Sequence, residues 1–421
     1  QMSSLEDKIT ADNPVRFIDA FVNHIDPVKI GFKPKILKTE GRPNFRLEVF
    51  LKLYLYGYLN GVRSSRRLEK ECFRNIEVQW LLEAIYPNYH SIADFRKDNP
   101  KALKQLFKLF VSFLKDAELI AGDTIAIDGT KSRAHNSKKA NYNQKKIDKH
   151  KAYIDAKSQE YLDQLEQNDI QENPVVIKNI QQKIEGLKQN KIKYELLEEE
   201  LKNSGEPQIS TTDADARALL VQGQVVEVSY NIQAAVDSKH NLVVATHTIN
   251  RNDKNALAAI ALEVKENLAL ETFTVLVDKG YHNGRELHTC KQNNITTIVA
   301  VPEQGKSNEN GTQPEYLVSK FIYNKENNSY TCPEGKTLTT TGSWHKKTGR
   351  TEESGYNFQK YRTPACKTCL VKDLCTSRNG GREIDRSQYA DAVEENHQRY
   401  KDNPQLYRKR QEINEHIFGT I

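Results

Sequence analysis

Two stretches, TIAIDGT at residues 124–130 and FTVLVDKGY at residues 273–281, decide the fold of this 421-residue chain. Each is an apolar run that leads into an aspartate, Asp128 in the first and Asp278 in the second, with a glycine close behind. Such runs predict β-strands whose last side chain is a carboxylate. Open α/β sheets gather reacting groups at the carboxyl ends of their strands, so the two stretches predict an acidic centre there. Taken alone, each aspartate beside a glycine is also compatible with ordinary turn chemistry.

The segments around these two strands predict a mixed α/β sheet. Residues 225–237 and 242–248 are rich in strand-forming residues and flank a polar turn, which predicts a β-hairpin. Apolar residues at helical spacing over 254–269 predict a helix, and residues 296–301 predict a further strand. The order strand, hairpin, helix, strand, helix, strand is typical of an α/β fold with a mixed sheet.

Two predominantly helical segments flank the first strand. Residues 12–120 carry apolar side chains at helical spacing, and we assign residues 1–120 to an N-terminal all-α domain. Residues 138–208 contain no Phe, Trp or Cys and show heptad patterning, which predicts an antiparallel helical hairpin inserted into a strand-rich domain of residues 121–421. Contact with DNA, contact between two copies of the chain and a solvated hairpin with neither role all remain open.

A cluster of arginines marks one turn of the N-terminal domain. Arg63, Arg66 and Arg67 lie near a Gly-containing turn between predicted helices, an arrangement similar to a helix-turn-helix. The net charge of +6 permits nucleic-acid binding without requiring it. The alternative is a plain helical bundle whose basic turn faces solvent.

Composition and the N-terminal sequence argue against a membrane or secreted protein. No run of 18 apolar residues exists, so no membrane span is predicted. The first residues, QMSSLEDK, lack the apolar region of a signal peptide. With four of its six cysteines clustered as described next, the chain is predicted to be cytosolic.

The four clustered cysteines have the spacing C-x33-C-x2-C-x5-C, formed by Cys332, Cys366, Cys369 and Cys375. Two residues between the middle pair let both thiolates reach one ion, and four thiolates suit a tetrahedral structural Zn²⁺. The surrounding sequence is polar and turn-rich, so a metal would supply the folding free energy that a small core lacks. We therefore predict a small zinc-ribbon-like insertion at residues 303–384, with unpaired cytosolic thiols as the alternative. Cys72 and Cys290 are predicted to be core residues.

A third acidic candidate lies near the C-terminus, in the predicted helical region 386–417. Pro404 can begin its last helix. On that helix Glu412 shares a face with Arg408, as in a surface ion pair, which makes Glu415 the better candidate for an acid that points at the sheet. The alternative is that both glutamates are solvated surface charges.

Eight stretches, in this order along the chain, carry a resemblance to a known family. They are LYLYGY at 53–58, RSSRRLE at 63–69, IADFR at 92–96, IDGTK at 127–131, DADAR at 213–217, YNIQ at 230–233, DKGY at 278–281 and EHIFGTI at 415–421. The chain resembles bacterial insertion-sequence transposases of the Asp-Asp-Glu class. It is most similar to the group with an N-terminal helical domain, a ribonuclease-H-like core with helices flanking a mixed sheet, and a four-cysteine insertion before the last acid.

The resemblance implies a metal-dependent DNA strand transferase. Asp128, Asp278 and Glu415 match the acidic triad, which would hold two Mg²⁺ or Mn²⁺ ions that activate water and then a DNA 3′-hydroxyl. The implied partners are double-stranded DNA, both terminal inverted repeats and target, and a second copy of the chain in a homodimer, within the bacterial cytoplasm at the nucleoid. The residues expected to contact DNA are Arg63, Arg66, Arg67, Arg96, Lys131, Tyr407 and Arg410.

The chain departs from the family's final pattern of Tyr, two residues, Arg, three residues, Glu, six residues and Lys. Tyr407 and Arg410 keep the first gap, but Glu415 follows after four residues, whereas three would give Asn414. The Lys would fall just past Ile421, and we expect the family's last helix to continue there. Two alternative functions remain: a truncated or co-opted DNA-binding protein without catalytic activity, and a nuclease that never joins strands.

Overall fold

The computed structural model describes residues 4–33, 45–135, 137–169, 174–221, 225–302, 312–349 and 355–420. The chain divides into two compact units, Gln1–Glu118 and Leu119–Ile421. The second unit combines β-sheets with helices, so the predicted mixed α/β class is confirmed. No helix within the described residues is both long enough and apolar enough to cross a membrane.

The N-terminal unit is built from short helices. They are α1 (Pro14–His24), α2 (Pro27–Ile30), α3 (Leu47–Leu59), α4 (Ser65–Arg74), α5 (Ile76–Leu81), α6 (Tyr89–Asp98) and α7 (Pro100–Asp116). Asn13, Asp26, Asn75 and Asn88 cap four of them by accepting backbone N–H groups of the first turn, which explains where these helices begin. The core includes a stack in which the Phe95 ring lies 4.9 Å from Phe50 and 5.4 Å from Phe32.

Two long helices form the predicted hairpin, α8 (Gln144–Asp169) and α9 (Pro174–Ser204). Lys151 pairs with Glu198 at 2.9 Å, and Lys191 pairs with Asp155 at 2.7 Å. Residue numbers rise along one helix while those of their partners fall along the other, which confirms the antiparallel arrangement. The short strands β2 (Asn141–Tyr142) and β3 (Ile209–Ser210) pair at the base of the hairpin.

The central sheet has six strands, β1 (Thr124–Arg133), β4 (Arg217–Val221), β5 (Val225–Asp237), β6 (Val243–Ile249), β7 (Phe273–Val277) and β8 (Ile295–Val299). Their order is β4-β5-β1-β7-β8, and β6 also pairs with β5. The β1–β5 and β5–β6 pairs are antiparallel, whereas β1–β7 and β7–β8 are parallel. The β5–β6 hairpin and the strands β7 and β8 confirm the predictions. β4 was not predicted from the sequence.

Helices flank this sheet. α10 (Leu257–Asn267) and α11 (Gly284–Gln292) lie between strands in sequence, and α13 (Ala390–Asp402) and α14 (Pro404–Thr420) end the described chain. Ile413 of α14 packs on Ala126 and Leu276 of the sheet. The predicted start of the last helix at Pro404 is confirmed. Residues 386–387, predicted as helix, instead belong to a strand of the insertion that precedes α13.

The insertion forms a second six-stranded sheet, with strands β9 (Ile322–Asn324), β10 (Ser329–Thr331), β11 (Thr337–Thr339), β12 (Trp344–Lys347), β13 (Tyr356–Arg362) and β14 (Glu383–Ser387), and the short helix α12 (Lys372–Cys375). Phe321, Tyr330, Leu338, Tyr361 and Ile384 form a buried core within it. This small core forms because single large side chains from successive short strands converge. Residues 303–311, where the predicted insertion begins, lie outside the described residues.

Buried Asn396 fastens α13 to the edge strand β8. Its Oδ1 accepts the N–H of Val299 at 2.9 Å, and its Nδ2 donates to the carbonyl of Val299 at 3.0 Å. One turn later, Nε of Arg399 donates to the carbonyl of Thr297 at 2.9 Å. Side chains of α13 thus form hydrogen bonds with backbone groups of β8 that would otherwise be open to pairing with another strand.

Replacing Asn396 tests how much the hydrogen bonds between α13 and β8 contribute to stability. We expect Asn396→Ala to lower the free energy of unfolding by about 2–4 kcal/mol, because it leaves a buried N–H and a buried carbonyl without partners. Thermal unfolding followed by circular dichroism measures the loss. The control is Asn293→Ala, since half-buried Asn293 donates from its side chain to the carbonyl of Thr289 at the end of α11. An equal loss of unfolding free energy in both variants would contradict a special role for the Asn396 hydrogen bonds.

Candidate active site

The site lies where β1 and β7 separate. Their parallel pairing runs from Thr124 to Ala126 on β1 and stops two residues before Asp128. β1 continues to Arg133 because β5 pairs with it over that length. The prediction that Asp128 ends its strand was therefore wrong. Asp278 does follow the last residue of β7, so both aspartates lie at the same end of the parallel pair.

Asp128 is held by α14 on one side and by its own backbone on the other. Arg410 donates from Nη1 to Oδ2 of Asp128 at 3.2 Å, and the N–H of Gly129 donates to Oδ1 at 2.8 Å. Burial raises the pKa of Asp128, the Gly129 N–H and the Arg410 guanidinium oppose the rise, and the carboxylates of Asp278 and Asp253 add to it. Any further cation that enters the site would therefore stabilise the ionised form of Asp128.

Asp278 begins the 3₁₀ turn Lys279–Tyr281. Its Oδ1 accepts the N–H of Gly280 at 2.7 Å, and its side chain is half-exposed. Burial raises the pKa of Tyr407 on α14, and the charges near it include the Arg410 guanidinium and the Asp278 carboxylate. The structure thus brings Asp128, Asp278, Tyr407 and Arg410 to one edge of the sheet.

Glu415 has a different setting from the two aspartates. Its side chain is exposed, whereas the preceding residues Ile413 and Asn414 are 4% and 2% exposed. Both side-chain polar atoms of Asn414 are buried, and neither has a hydrogen-bond partner among the described residues. In the described part of the chain, no group of three or more His, Cys, Asp or Glu side chains is positioned to hold one metal ion. Asp128 and Asp278 are therefore the pair of predicted acids that the structure brings close.

A polar cluster that the sequence did not predict lies behind Gly129. Oδ1 of Asp253 accepts from Asn231 at 2.7 Å, from Gln233 at 2.9 Å and from Lys131 at 3.2 Å. Lys131, expected to contact DNA, is thus paired, and its side chain is 14% exposed. The sequence does contain a signal for this cluster. Polar residues, including Asn231 and Gln233, occupy every second position along part of the buried strand β5.

The four clustered cysteines line one cavity of about 30 Å³ in the insertion. None forms a disulfide, and the Sγ of Cys332 accepts the N–H of Lys336 at 3.3 Å. Within the residues that the structure describes, these thiols are not positioned to coordinate one metal ion together. Cys72 and Cys290 are buried, as predicted for core residues.

The arginines expected to contact DNA lie exposed in the N-terminal unit. Arg63 lies just before α4, Arg66 and Arg67 are in its first turn, and Arg96 is in the last turn of α6. Two of them lie over aromatic rings: the Arg66 guanidinium is 5.1 Å from the ring centre of Tyr89, and that of Arg96 is 5.9 Å from that of Tyr54. The contact with an aromatic ring restricts the motion of both side chains while their charged groups stay exposed to solvent.

Two family models match the chain. One, described as a transposase domain (DUF772), matches residues 3–98, and the other, described as a transposase DDE domain, matches residues 331–421. The first match lies within the N-terminal unit, and the second extends from the insertion through α14 and includes Glu415. Neither match covers Asp128 or Asp278. No curated protein and no solved structure matches the chain.

Proposed function

We propose that this chain, an insertion-sequence transposase of the DDE class, cleaves DNA at the element's ends and joins those ends to target DNA by two-metal phosphoryl transfer. The observation that carries this proposal is the placement of Asp128 and Asp278 at one end of the parallel β1–β7 pair. The exposed arginines of the N-terminal unit support DNA as the substrate.

The strand arrangement supports a ribonuclease-H-like core for residues 121–421. Strands β6, β5 and β1 are antiparallel neighbours, and β7 and β8 follow β1 in parallel, as expected for such a core. In this proposal the hairpin of residues 138–208 and the β-rich segment of residues 303–384 are insertions, and residues 1–120 form the DNA-binding domain.

We assign the catalytic metal ligands to Asp128 and Asp278, with Glu415 as the third acid. Carboxylate oxygens are the ligands that Mg²⁺ and Mn²⁺ prefer, and the mutual repulsion of the two aspartates favours a cation between them. Such ions, when bound, lower the pKa of an attacking water or hydroxyl and stabilise the leaving oxygen. Arg410 orients Asp128 through Oδ2, and the Gly280 N–H orients Asp278. Glu415 is included because it lies in the matched DDE domain, on the same helix as Arg410.

We propose that double-stranded DNA binds through Arg63, Arg66, Arg67 and Arg96 in the N-terminal unit and through Tyr407 and Arg410 at the acidic centre. Exposed guanidinium groups neutralise backbone phosphates and release counterions. In this proposal Lys131 does not act as a free cation toward DNA, because its ammonium group pairs with Asp253. Two copies of the chain would pair the two ends of the element at the bacterial nucleoid.

We also propose a structural Zn²⁺ held by Cys332, Cys366, Cys369 and Cys375. All four thiols face one cavity, and the N–H donated to the Cys332 sulfur is a contact that stabilises a thiolate. A Cβ at Gly381 would overlap that of Cys366, so a glycine is needed for the two segments to come this close. The metal would order the loops around the buried core of the insertion.

The acidic residues are tested by Asp128→Asn, Asp278→Asn and Glu415→Gln, each of which keeps the side-chain shape and removes its charge. We expect each to reduce Mg²⁺-dependent cleavage by roughly 100-fold or more, because the bound ions lose a charged ligand. The substrate is duplex DNA from the boundaries of the element that encodes this chain. Glu412→Gln, an exposed neighbour on α14, is the control and should cleave normally. Cleavage retained by any of the three variants would remove that residue from the site.

An assay that also supplies a target duplex distinguishes a transposase from a nuclease. Joined products are expected with the unmodified chain. Cleavage without joining would favour a nuclease that uses the same acidic centre. Intact DNA with retained binding would favour the inactive DNA-binding alternative.

The arginine cluster is tested by the triple variant Arg63→Ala, Arg66→Ala and Arg67→Ala. We expect weaker DNA binding and a slope of log K against log salt that is smaller by about 2–3, since each phosphate contact contributes about 0.9. Fluorescence anisotropy at several salt concentrations gives the slope. Arg46→Ala is the control, because exposed Arg46 pairs with Glu83 at 3.3 Å. An unchanged slope in the triple variant would place the DNA elsewhere.

Metal analysis tests the four cysteines. Protein purified without chelator should contain about one equivalent of zinc, and Cys366→Ser should lose it because a structural site needs all four ligands. Cys290→Ser serves as the control, since Cys290 is fully buried outside the insertion. Clearly less than about one equivalent in the unmodified protein would contradict a single four-thiolate site.

A further inference from the structure

We propose that Asp253 is a positioning residue of the acidic centre, which acts through Gln233 and Tyr281 to hold the turn that presents Asp278. This inference rests on the proposed function, because it gives Asp253 a role toward the same centre. Asp253 lies in the 3₁₀ turn Asp253–Asn255 that follows β6, distant in sequence from both aspartates.

Three donors converge on the Asp253 carboxylate: the amides of Asn231 and Gln233 and the ammonium of Lys131. Burial opposes ionisation of Asp253, but the Asn231 hydrogen bond, the Lys131 charge and the Gln233 hydrogen bond outweigh it and lower its pKa. Asp253 is therefore a charged acceptor at neutral pH. A charged acceptor with several donors holds those donors more firmly than a neutral one would.

The charge of Asp253 determines how the Gln233 amide is oriented. An ionised carboxylate can only accept hydrogen bonds, so the Gln233 amide must direct its NH₂ group at Asp253 and its oxygen away. That oxygen accepts the hydroxyl hydrogen of Tyr281. Gln233 is fully buried and Tyr281 is 1% exposed, so solvent does not compete for either bond. The hydrogen bonds are therefore donated in one direction only, from Tyr281 to Gln233 and from Gln233 to Asp253.

Tyr281 belongs to the same turn as Asp278. The backbone N–H of Tyr281 donates to the carbonyl of Asp278 at 3.3 Å, and the N–H of Gly280 donates to the Asp278 side chain at 2.7 Å. Fixing the Tyr281 ring therefore fixes the end of a three-residue turn whose other end carries the Asp278 carboxylate. A loose Tyr281 would loosen this turn and, with it, the Gly280 N–H that orients the Asp278 carboxylate.

Two glycines let the Asp253 carboxylate lie close to β1 beside Asp128 and to the turn that follows β7. A Cβ at Gly129 would lie 2.8 Å from Oδ1 of Asp253, and one at Gly280 would lie 3.8 Å from its Oδ2 and 2.9 Å from Oδ1 of Asp278. The Lys131 partner is on β1, three residues after Asp128. The network thus joins the segment after Asp128 to the turn of Asp278. A buried ion pair that only stabilised the sheet would not require this link to Tyr281.

Hydrogen–deuterium exchange of the metal-free, full-length chain tests the proposal directly. Asp253→Ala should speed exchange of the amides of residues 280–281 by about tenfold, because the turn loses its anchor. Asp253→Asn keeps an acceptor oxygen but loses the charge, and it should speed exchange by a smaller factor than Asp253→Ala. Tyr281→Phe should reproduce the effect of Asp253→Ala, and the double variant should exchange no faster than the faster single one, since both changes break the same connection.

Glu383→Ala provides the matched control. Glu383 is a similarly enclosed acid that pairs with Lys360 at 2.9 Å and Arg378 at 3.0 Å within the insertion. It should leave exchange at residues 280–281 unchanged. Binding of Mn²⁺ alone, followed by electron paramagnetic resonance without DNA, should weaken about tenfold in Asp253→Ala and remain unchanged in the control.

Several results would overturn the role of Asp253. They are an unchanged exchange rate in folded Asp253→Ala, an equal increase in Glu383→Ala, or additive effects of the Asp253 and Tyr281 changes. If Asp253→Ala does not fold, Tyr281→Phe decides, and unchanged protection at residues 280–281 in that variant overturns the proposal. Failure of the unmodified chain to cleave or join DNA would instead overturn the proposed function, because the exchange measurement needs neither metal nor DNA.

Discussion

The separation of β1 from β7 after Ala126 is the constraint on which the candidate site depends. Up to that point the two strands share parallel hydrogen bonds, and beyond it β1 continues along β5 while β7 ends in a turn. The divergence leaves room at the sheet edge for Asp128 and Asp278. Gly280 places no side chain against Asp278, and Gly129 lets the Asp253 cluster lie close to β1. Continued pairing would have filled the same space with backbone.

Charge balance explains the elements that surround this gap. Two nearby carboxylates at a partly buried edge repel each other, and neither is stable there without donors. α14 supplies Arg410 from one side, and it is held on the sheet by apolar contacts such as that of Ile413 with Leu276. On the other side of the gap, two amides and an ammonium group donate to the neighbouring carboxylate of Asp253. The centre therefore keeps a net negative charge in a prepared geometry, as expected of a site for divalent cations.

The two insertions explain why residues that meet in space are distant in sequence. The hairpin α8–α9 separates β1 from β4 and β5, and the β-rich insertion separates β8 from α13. Each has apolar contacts of its own, at the base of the hairpin and around Tyr361. Each can therefore lengthen the chain between two strands of the sheet without changing how those strands pair. α14 then reaches the sheet edge because Asn396 and Arg399 fasten α13 to β8.

The sequence by itself determined the local elements. The apolar runs at 124–128 and 273–277 specified strands, the heptads specified the hairpin, and Pro404 specified where the last helix starts, because each depends on periodicity or on one residue's backbone limits. It also placed Asp278 correctly at a strand end. Only the tertiary structure decided that β1 passes Asp128, that Asn414 is buried beside an exposed Glu415, and that Asp253 lies behind Gly129. These features depend on which distant segments pair and pack, and hydrophobic periodicity within one segment carries no information about its partners.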